Sequence, residues 1–261
     1  MADRLSTQTI DRASTNMPHY IGLQDLLPIA PDVADARRIF RPLADQTIIK
    51  PSDLYSVQQN RCSIPGYRFV RSTNPAEMLM FVDGSALNNG SQNARAGYGV
   101  VFAPLEWFAP ISNRLEQDGH PQTSNRAELR AVLASLTLRH WAGEGFSRIV
   151  LACDSEYVVK GISEWIIKWR TNGWMTTAGK PVANQDLWKK LEAKLREMEK
   201  SGMLVLFWKI PREWNEADKY AKAGAVIILF VHLFVMKYFL LILIMIRRRI
   251  LLLAKWVMLS S

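Results

Sequence analysis

Two short apolar runs, each followed at once by an aspartate, place the strongest constraint on the fold. Residues 78–82 precede Asp83, and residues 149–153 precede Asp154. Continuous apolar runs of this length are typical of strands that are buried on both faces. The connection between them is long and contains a predicted helix, which favours a crossover and therefore a parallel pair. Because the carboxyl ends of parallel neighbours meet at one edge of a sheet, we expect the two carboxylates to lie close together.

Strands and helices follow one another from residue 78 onward. Residues 78–83, 96–102 and a stretch within 107–115 are separated by short turns, which predicts an antiparallel meander. Apolar side chains at helical spacing then predict a helix over 125–141. The later predicted elements are a strand over 148–153, short helices over 155–162 and 164–169 separated at Gly161, a long helix over 184–199, a strand over 204–209 and a helix over 215–223. This order predicts an α/β or α+β domain.

The segments on either side of this domain differ from it in composition. Residues 1–75 are punctuated by prolines and lack sustained periodicity, which predicts an extended or partly ordered arm before a domain that spans 76–224. Residues 225–261 form an apolar tail, and about 20 apolar residues are the length that a membrane span requires. Lys237 falls near the centre of the first apolar window, where a charge costs about 2.5–3.5 kcal/mol. A membrane segment over 227–259 and an aberrant C-terminus are therefore the two interpretations of the tail.

The formal net charge of +9 is weak support for nucleic-acid binding, because residues 223–261 contribute bases and no acid. A local excess of basic over acidic side chains is more informative. Within residues 160–196, basic side chains outnumber acidic ones and tryptophans lie between them, which predicts a basic protrusion that faces a polyanion rather than an ordinary solvated helix face. The two cysteines, Cys62 and Cys153, predict no disulfide framework. We expect an intracellular protein, nuclear or cytoplasmic, unless the tail attaches it to a membrane.

Four acidic residues are the candidates for a catalytic metal site. Glu128 lies in the first turn of the predicted crossover helix and Asp218 near the start of the last helix, in addition to Asp83 and Asp154. Each acid alone has a simpler interpretation as a turn, a helix cap or a surface ion pair. Together they would repel one another unless cations bind, and oxygen ligands without Cys or His select Mg²⁺ or Mn²⁺ over zinc. Two such ions about 3.5–4 Å apart suit hydrolysis of a phosphodiester.

The segments that carry these acids resemble the four acidic motifs of the ribonuclease H family, in the same order. They are residues 83–85, 123–129, 154–159 and 216–218, and residues 165–188 are similar to the basic protrusion of the cellular type 1 enzymes of eukaryotes, including fungi. The resemblance implies a mixed five-stranded sheet, an antiparallel meander plus parallel strands, flanked by helices. It also implies a monomeric endoribonuclease that hydrolyses the RNA strand of RNA–DNA hybrids with Mg²⁺, or with Mn²⁺.

The same resemblance assigns roles to individual residues. Asp83, Glu128, Asp154 and Asp218 would be the catalytic, metal-binding acids. Small polar groups can reach the 2′-hydroxyls in the shallow minor groove of a hybrid, whereas aromatic and basic groups suit the DNA strand. The predicted substrate contacts are Asn89, Thr123, Ser124, Asn125, Trp169, Trp174 and Lys180, with Thr123 on a DNA phosphate.

One position departs from the family pattern. The family carries a histidine on a mobile loop before the fourth acid, but residues 210–215 contain none, and Glu213 is the candidate substitute. A slower enzyme is expected. Two alternatives remain, namely a hybrid-binding module with weakened catalysis and a membrane-tethered protein with a vestigial nuclease domain.

Overall fold

A mixed sheet forms the centre of the protein, whose computed structural model describes residues 38–42, 49–60, 62 and 65–226. Its seven strands are β1 (Tyr55–Gln59), β2 (Tyr67–Arg71), β3 (Asn74–Leu87), β4 (Arg95–Val101), β5 (Ile111–Arg114), β6 (Arg148–Cys153) and β7 (Leu204–Lys209). Strands β1 to β5 pair antiparallel in sequence order, whereas β6 pairs parallel with both β3 and β7. The predicted crossover and the parallel pairing of the two apolar runs are therefore confirmed.

Helices connect the strands and cover the sheet. They are α1 (Pro51–Leu54), α2 (Ser124–Thr137), α3 (Glu156–Lys160), α4 (Ile166–Thr171), α5 (Gln185–Lys200) and α6 (Asp218–Val226). Between α3 and α4 the chain forms a π-helical turn, Gly161–Trp165, rather than the predicted break. A Cβ at Gly161 would lie 2.2 Å from Cη2 of Trp188, so glycine is required here because the α5 indole packs on the turn.

Both faces of the sheet are buried, which explains the continuous apolar character of β3 and β6. Alternate side chains of β3, such as Met80 and Val82, join the main core with α2 and α5. Leu79 and Phe81 point to the other face and pack with Tyr55 from the N-terminal segment. Strands that are covered on two faces read as apolar runs without alternation.

The N-terminal segment contributes β1 and β2, so the sheet has seven strands instead of the predicted five. The pattern of β2 conceals it, because its inward positions are Arg68 and Val70 while Tyr67 and Phe69 are only half-buried. Arg68 is fully buried and donates from Nε and Nη2 to the carboxylate of Glu144, at 2.9 and 3.0 Å. A buried, paired arginine reads as a surface residue in the sequence, which is why this strand was missed.

The two predicted terminal segments, the N-terminal arm and the apolar tail, are described only in part or not at all. Among the described residues, none of the helices combines the length and the apolar character needed to cross a membrane. The predicted tail segment over 227–259 lies outside the described residues, as does most of the predicted N-terminal arm.

Candidate metal centre

The two central parallel strands position the first two acids. Phe81 of β3 pairs with Ala152 of β6, and Asp83 and Asp154 each follow that pair by two residues. Strand β6 ends at Cys153, directly before Asp154. Strand β3 instead continues to Leu87, so Asp83 lies within the strand rather than at its predicted end.

Helix α2 brings the third acid to the same place. Thr123 caps the helix by accepting the N–H of Arg126 at 3.3 Å, and Glu128 lies just over one turn later. The helix approaches β3 so closely that a Cβ at Gly84 would lie 2.1 Å from the backbone nitrogen of Glu128. Glycine after Asp83 is therefore what allows Glu128 to reach the strand.

Three carboxylates converge as a result. One oxygen from each of Asp83, Glu128 and Asp154 lies within 4.8 Å of the others. The side chains of Asp83 and Glu128 are buried, and their Oδ2 and Oε2 atoms have no hydrogen-bond partner among the described residues. Buried carboxylate oxygens without partners are costly unless a cation coordinates them. The donor set, oxygen only, fits a hard divalent cation.

The electrostatics of the cluster agree with this interpretation. Burial, and then the charge and hydrogen bond of Asp154, raise the pKa of Asp83 to about 8. Burial, followed by the charges of Asp83 and Asp154, also raises the pKa of Glu128 well above its usual value. Without a cation, the three acids therefore do not all ionise near neutral pH.

Asp218 lies beside this group but is engaged elsewhere. It begins α6, and its Oδ1 accepts from Nε and Nη2 of Arg212 at 2.9 and 2.6 Å. Lys222 contacts Oδ2 at 2.6 Å. Burial opposes ionisation, but the hydrogen bonds from Lys222 and Arg212 outweigh it and lower the pKa of Asp218. The structure thus brings three of the predicted acids together and leaves the fourth paired with two cations.

Asn215 is a candidate site residue that the sequence patterns do not single out. Its buried amide donates to Oδ1 of Asp154 at 2.8 Å and to the carbonyl of Val82 at 3.0 Å, and its Oδ1 accepts the N–H of Ala217 at 3.1 Å. It therefore fixes Asp154 against β3 and against the start of α6. The available signal was a short polar residue just before a helix, which is a common capping pattern.

The predicted groove contacts lie on two segments, the turn between β3 and β4 and the start of α2. Asn89 is exposed on the turn between β3 and β4, while Ser124 and Asn125 open α2 after its cap, Thr123. A cleft of about 320 Å³ between the turn and the cap is lined by Gly90 and Thr123, among others. Asn89 directly precedes one wall of this cleft, and Ser124 and Asn125 directly follow the other, in the first turn of the helix that carries Glu128.

The predicted contacts on the protrusion divide into packing and exposed groups. The Trp169 ring lies 5.5 Å from Trp188 and 6.0 Å from Trp174, and both Trp169 and Trp174 pack against the main core. Lys180 is exposed, and Lys189 lies over the Trp174 ring at 5.4 Å. Both tryptophans are therefore half-buried packing residues, whereas Lys180 is exposed to solvent.

Arg126 connects the protrusion to the acidic centre. This buried guanidinium donates from Nη1 and Nη2 to Asp186 at the start of α5, at 2.9 and 3.0 Å, and from Nη2 to Asp118 at 2.9 Å. Arg126 and Glu128 both lie on α2, so this helix is paired with the start of α5 and also carries one acid of the centre.

A mixed sheet with clustered carboxylates at its central parallel strands defines a class of divalent-metal enzyme. The family model for RNase H matches residues 75–226. The chain is 36% identical over 149 residues to ribonuclease H of Actinobacillus succinogenes, a match that covers 57% of this chain and 90% of that protein. It is 31% identical over 153 residues to ribonuclease H1 of Rattus norvegicus, which covers 57% of this chain and 50% of that protein. A crystal structure of RNase H1 from the halophilic archaeon Halobacterium salinarum aligns with a TM-score of 0.37 and 24% identity, over 57% of this chain and 96% of that one.

The chain belongs to the ribonuclease H family. The predicted family, α/β fold class and enzyme class are thereby confirmed. The roles assigned to individual residues stay predictions.

Proposed function

We propose that this ribonuclease H hydrolyses the RNA strand of RNA–DNA hybrids with Mg²⁺ held by Asp83, Glu128, Asp154 and Asp218. The observation that carries the proposal is the group of three carboxylates with two buried, unpartnered oxygens, in a chain of this family. Mn²⁺ is expected to substitute, because it accepts the same oxygen ligands.

The proposed roles in the reaction are metal binding by the acids and positioning of Asp154 by Asn215. A pair of divalent ions held by these acids would stabilise the entering and leaving oxygens of an in-line displacement at phosphorus. Asp83 and Glu128 provide buried oxygens that have no competing hydrogen bond among the described residues. Asn215 holds Asp154 in place through its amide, at 2.8 Å. The residues of β3, β6 and α2 are thus already arranged before substrate binds.

Selection of a hybrid over other duplexes is expected to depend on polar groups near the start of α2 and on the protrusion. Asn89, Ser124 and Asn125 offer amide and hydroxyl groups that suit the 2′-hydroxyls of RNA in the wide minor groove. Trp174 and Lys180, on the protrusion, suit the sugars and phosphates of the DNA strand. A hybrid offers both features at once, whereas a duplex of DNA alone lacks the hydroxyls.

Cleavage of matched duplexes tests this proposal. The full chain is incubated with Mg²⁺ and a hybrid labelled on either strand, and with RNA–RNA and DNA–DNA duplexes of the same sequence. We expect cleavage of the RNA strand in the hybrid alone. Binding of the hybrid without cleavage at any concentration of Mg²⁺ or Mn²⁺ would instead support a binding module without catalysis.

A further inference from the structure

Arg212 occupies an unusual position for a cation at a metal centre. It opens the short 3₁₀ turn Arg212–Trp214, which joins β7 to α6. Its Nε and Nη2 atoms lie 2.9 and 2.6 Å from Oδ1 of Asp218, and Nε lies 3.9 Å from Oδ2 of Asp154. One guanidinium therefore spans two of the four proposed acids.

The four acids differ sharply in what satisfies them. Oδ2 of Asp83 and Oε2 of Glu128 are buried without partners among the described residues, whereas both oxygens of Asp218 are engaged, one by Arg212 and one by Lys222. Asp218 is thus the acid whose charge is already neutralised by the protein. It can contribute to a metal site only after its bonds rearrange.

We propose that Arg212 is the protein's own counter-cation for Asp218, which a divalent ion must displace before the fourth acid joins the centre. This inference rests on the proposed function. A guanidinium stays charged throughout the accessible pH range, so it cannot relieve the conflict by losing a proton. Its side chain is 59% exposed and lies on a three-residue turn, which leaves it room to swing into solvent.

Lys222 pairs with Asp218 but is not positioned beside Asp154 as Arg212 is. It contacts Oδ2 of Asp218 from the next turn of α6, as an (i, i+4) pair, whereas Arg212 also faces Asp154. Of the two cations described on Asp218, Arg212 is the one that also lies near a second proposed ligand, where an ion shared by the two acids would bind. Arg212 therefore sets the metal concentration at which the centre fills.

Calorimetric titration of the full chain with MgCl₂, and separately with MnCl₂, in the absence of nucleic acid tests the inference. We expect Arg212→Gln to lower the apparent dissociation constant about three- to fivefold, the range that the loss of an exposed ion pair allows. Arg212→Lys keeps the charge and is expected to stay within about twofold of the wild type. Lys219→Ala is the matched control, because Lys219 lies in the same turn of α6 but contacts the Tyr220 ring, at 5.0 Å. It is expected to change the constant less than about 1.5-fold.

Thermal unfolding provides the second readout. Without metal, Arg212→Gln is expected to melt below the wild type, because Asp218 loses one of its two cationic partners. With saturating Mg²⁺ the difference is expected to vanish or to change sign. An equal loss in both conditions would show a purely structural role and would overturn the inference.

The outcomes separate this inference from the proposed function. If Asp83→Asn abolishes metal binding but Arg212→Gln leaves the constant unchanged, or tightens it no more than Lys219→Ala or Arg212→Lys, the inference alone fails. If the wild type and Asp83→Asn bind Mg²⁺ and Mn²⁺ equally, the metal centre and the proposed function fail with it.

Discussion

The close approach of α2 to β3 gives the sharpest structural prediction, at Gly84. A Cβ at this position would lie 2.1 Å from the backbone nitrogen of Glu128 and 2.4 Å from the carbonyl carbon of Ala127. Ordinary van der Waals contact begins at 3.4 Å, so the Gly84→Ala variant must widen the gap by about 1.3 Å. Both atoms belong to the helix backbone, so the helix must move as a unit and carry Glu128 away from Asp83.

The magnitude follows from this displacement. Overpacking of this kind costs about 1–3 kcal/mol, and we expect the free energy of unfolding of Gly84→Ala to fall by about that amount. A misplacement of about 1 Å at a catalytic group costs about a hundredfold in rate. We therefore expect hybrid cleavage under folded conditions to fall by about two orders of magnitude.

Urea unfolding and single-turnover cleavage measure the two effects separately. Gly66→Ala is the matched control, because its Cβ would meet a side-chain atom first, Nη1 of Arg68, at 3.2 Å. That contact lies outside β3 and α2, so it does not displace Glu128 and the control is expected to keep most of its activity. A Gly84→Ala variant with wild-type stability and rate would refute the proposed dependence of Glu128 on this contact.

Three further predictions follow from other parts of the structure. Asn215→Ala leaves Oδ1 of Asp154 without its amide donor and is expected to lower the free energy of unfolding by about 1–3 kcal/mol and to slow cleavage, whereas Asn93→Ala on an exposed turn is expected to change neither. In the metal-free protein, the Asp83 pKa of about 8 lies above the ordinary 3.8, so its contribution to stability is present below pH 3.8 and lost as pH rises through 8. The melting temperature without metal is expected to fall over that range, and a profile that Asp83→Asn does not flatten would contradict this. A chain that begins at residue 75 loses β1, β2 and the 2.6 Å hydrogen bond from Tyr55 to Glu77, and calorimetry is expected to show a melting temperature about 5–10 °C below that of a chain beginning at residue 38.

The parts of the molecule that sequence reasoning located are those encoded by local patterns. The apolar runs before Asp83 and Asp154 indicated buried parallel strands, and the polar start of α2 placed Glu128 in its first turns. Each of these signals lies within one element. Their convergence then followed from the rule that a long connection joins parallel strands.

The parts that were missed depend on partners far away in the chain. Strand β2 was hidden because Arg68 is buried against Glu144, and the helix break at Gly161 was wrong because Trp188 packs there. The bond from Asn215 to Asp154 likewise joins residues 61 positions apart. Arg212 and Asp218 are only six residues apart, but they pair because the chain turns between them, which hydrophobic periodicity does not show. Long-range polar pairs leave little trace in hydrophobic periodicity.

Metal-dependent cleavage by an Asp83 variant tests the central claim most directly. The rate of hydrolysis of the RNA strand is measured against Mg²⁺ concentration for the wild type and Asp83→Asn, with hybrid affinity measured in parallel by fluorescence anisotropy. We expect the wild-type rate to rise with Mg²⁺ and saturate. Loss of metal stabilisation amounts to several kcal/mol, so Asp83→Asn is expected to lose at least about a hundredfold in rate with little change in affinity. Cleavage by Asp83→Asn at the wild-type rate would contradict a metal centre built on this aspartate.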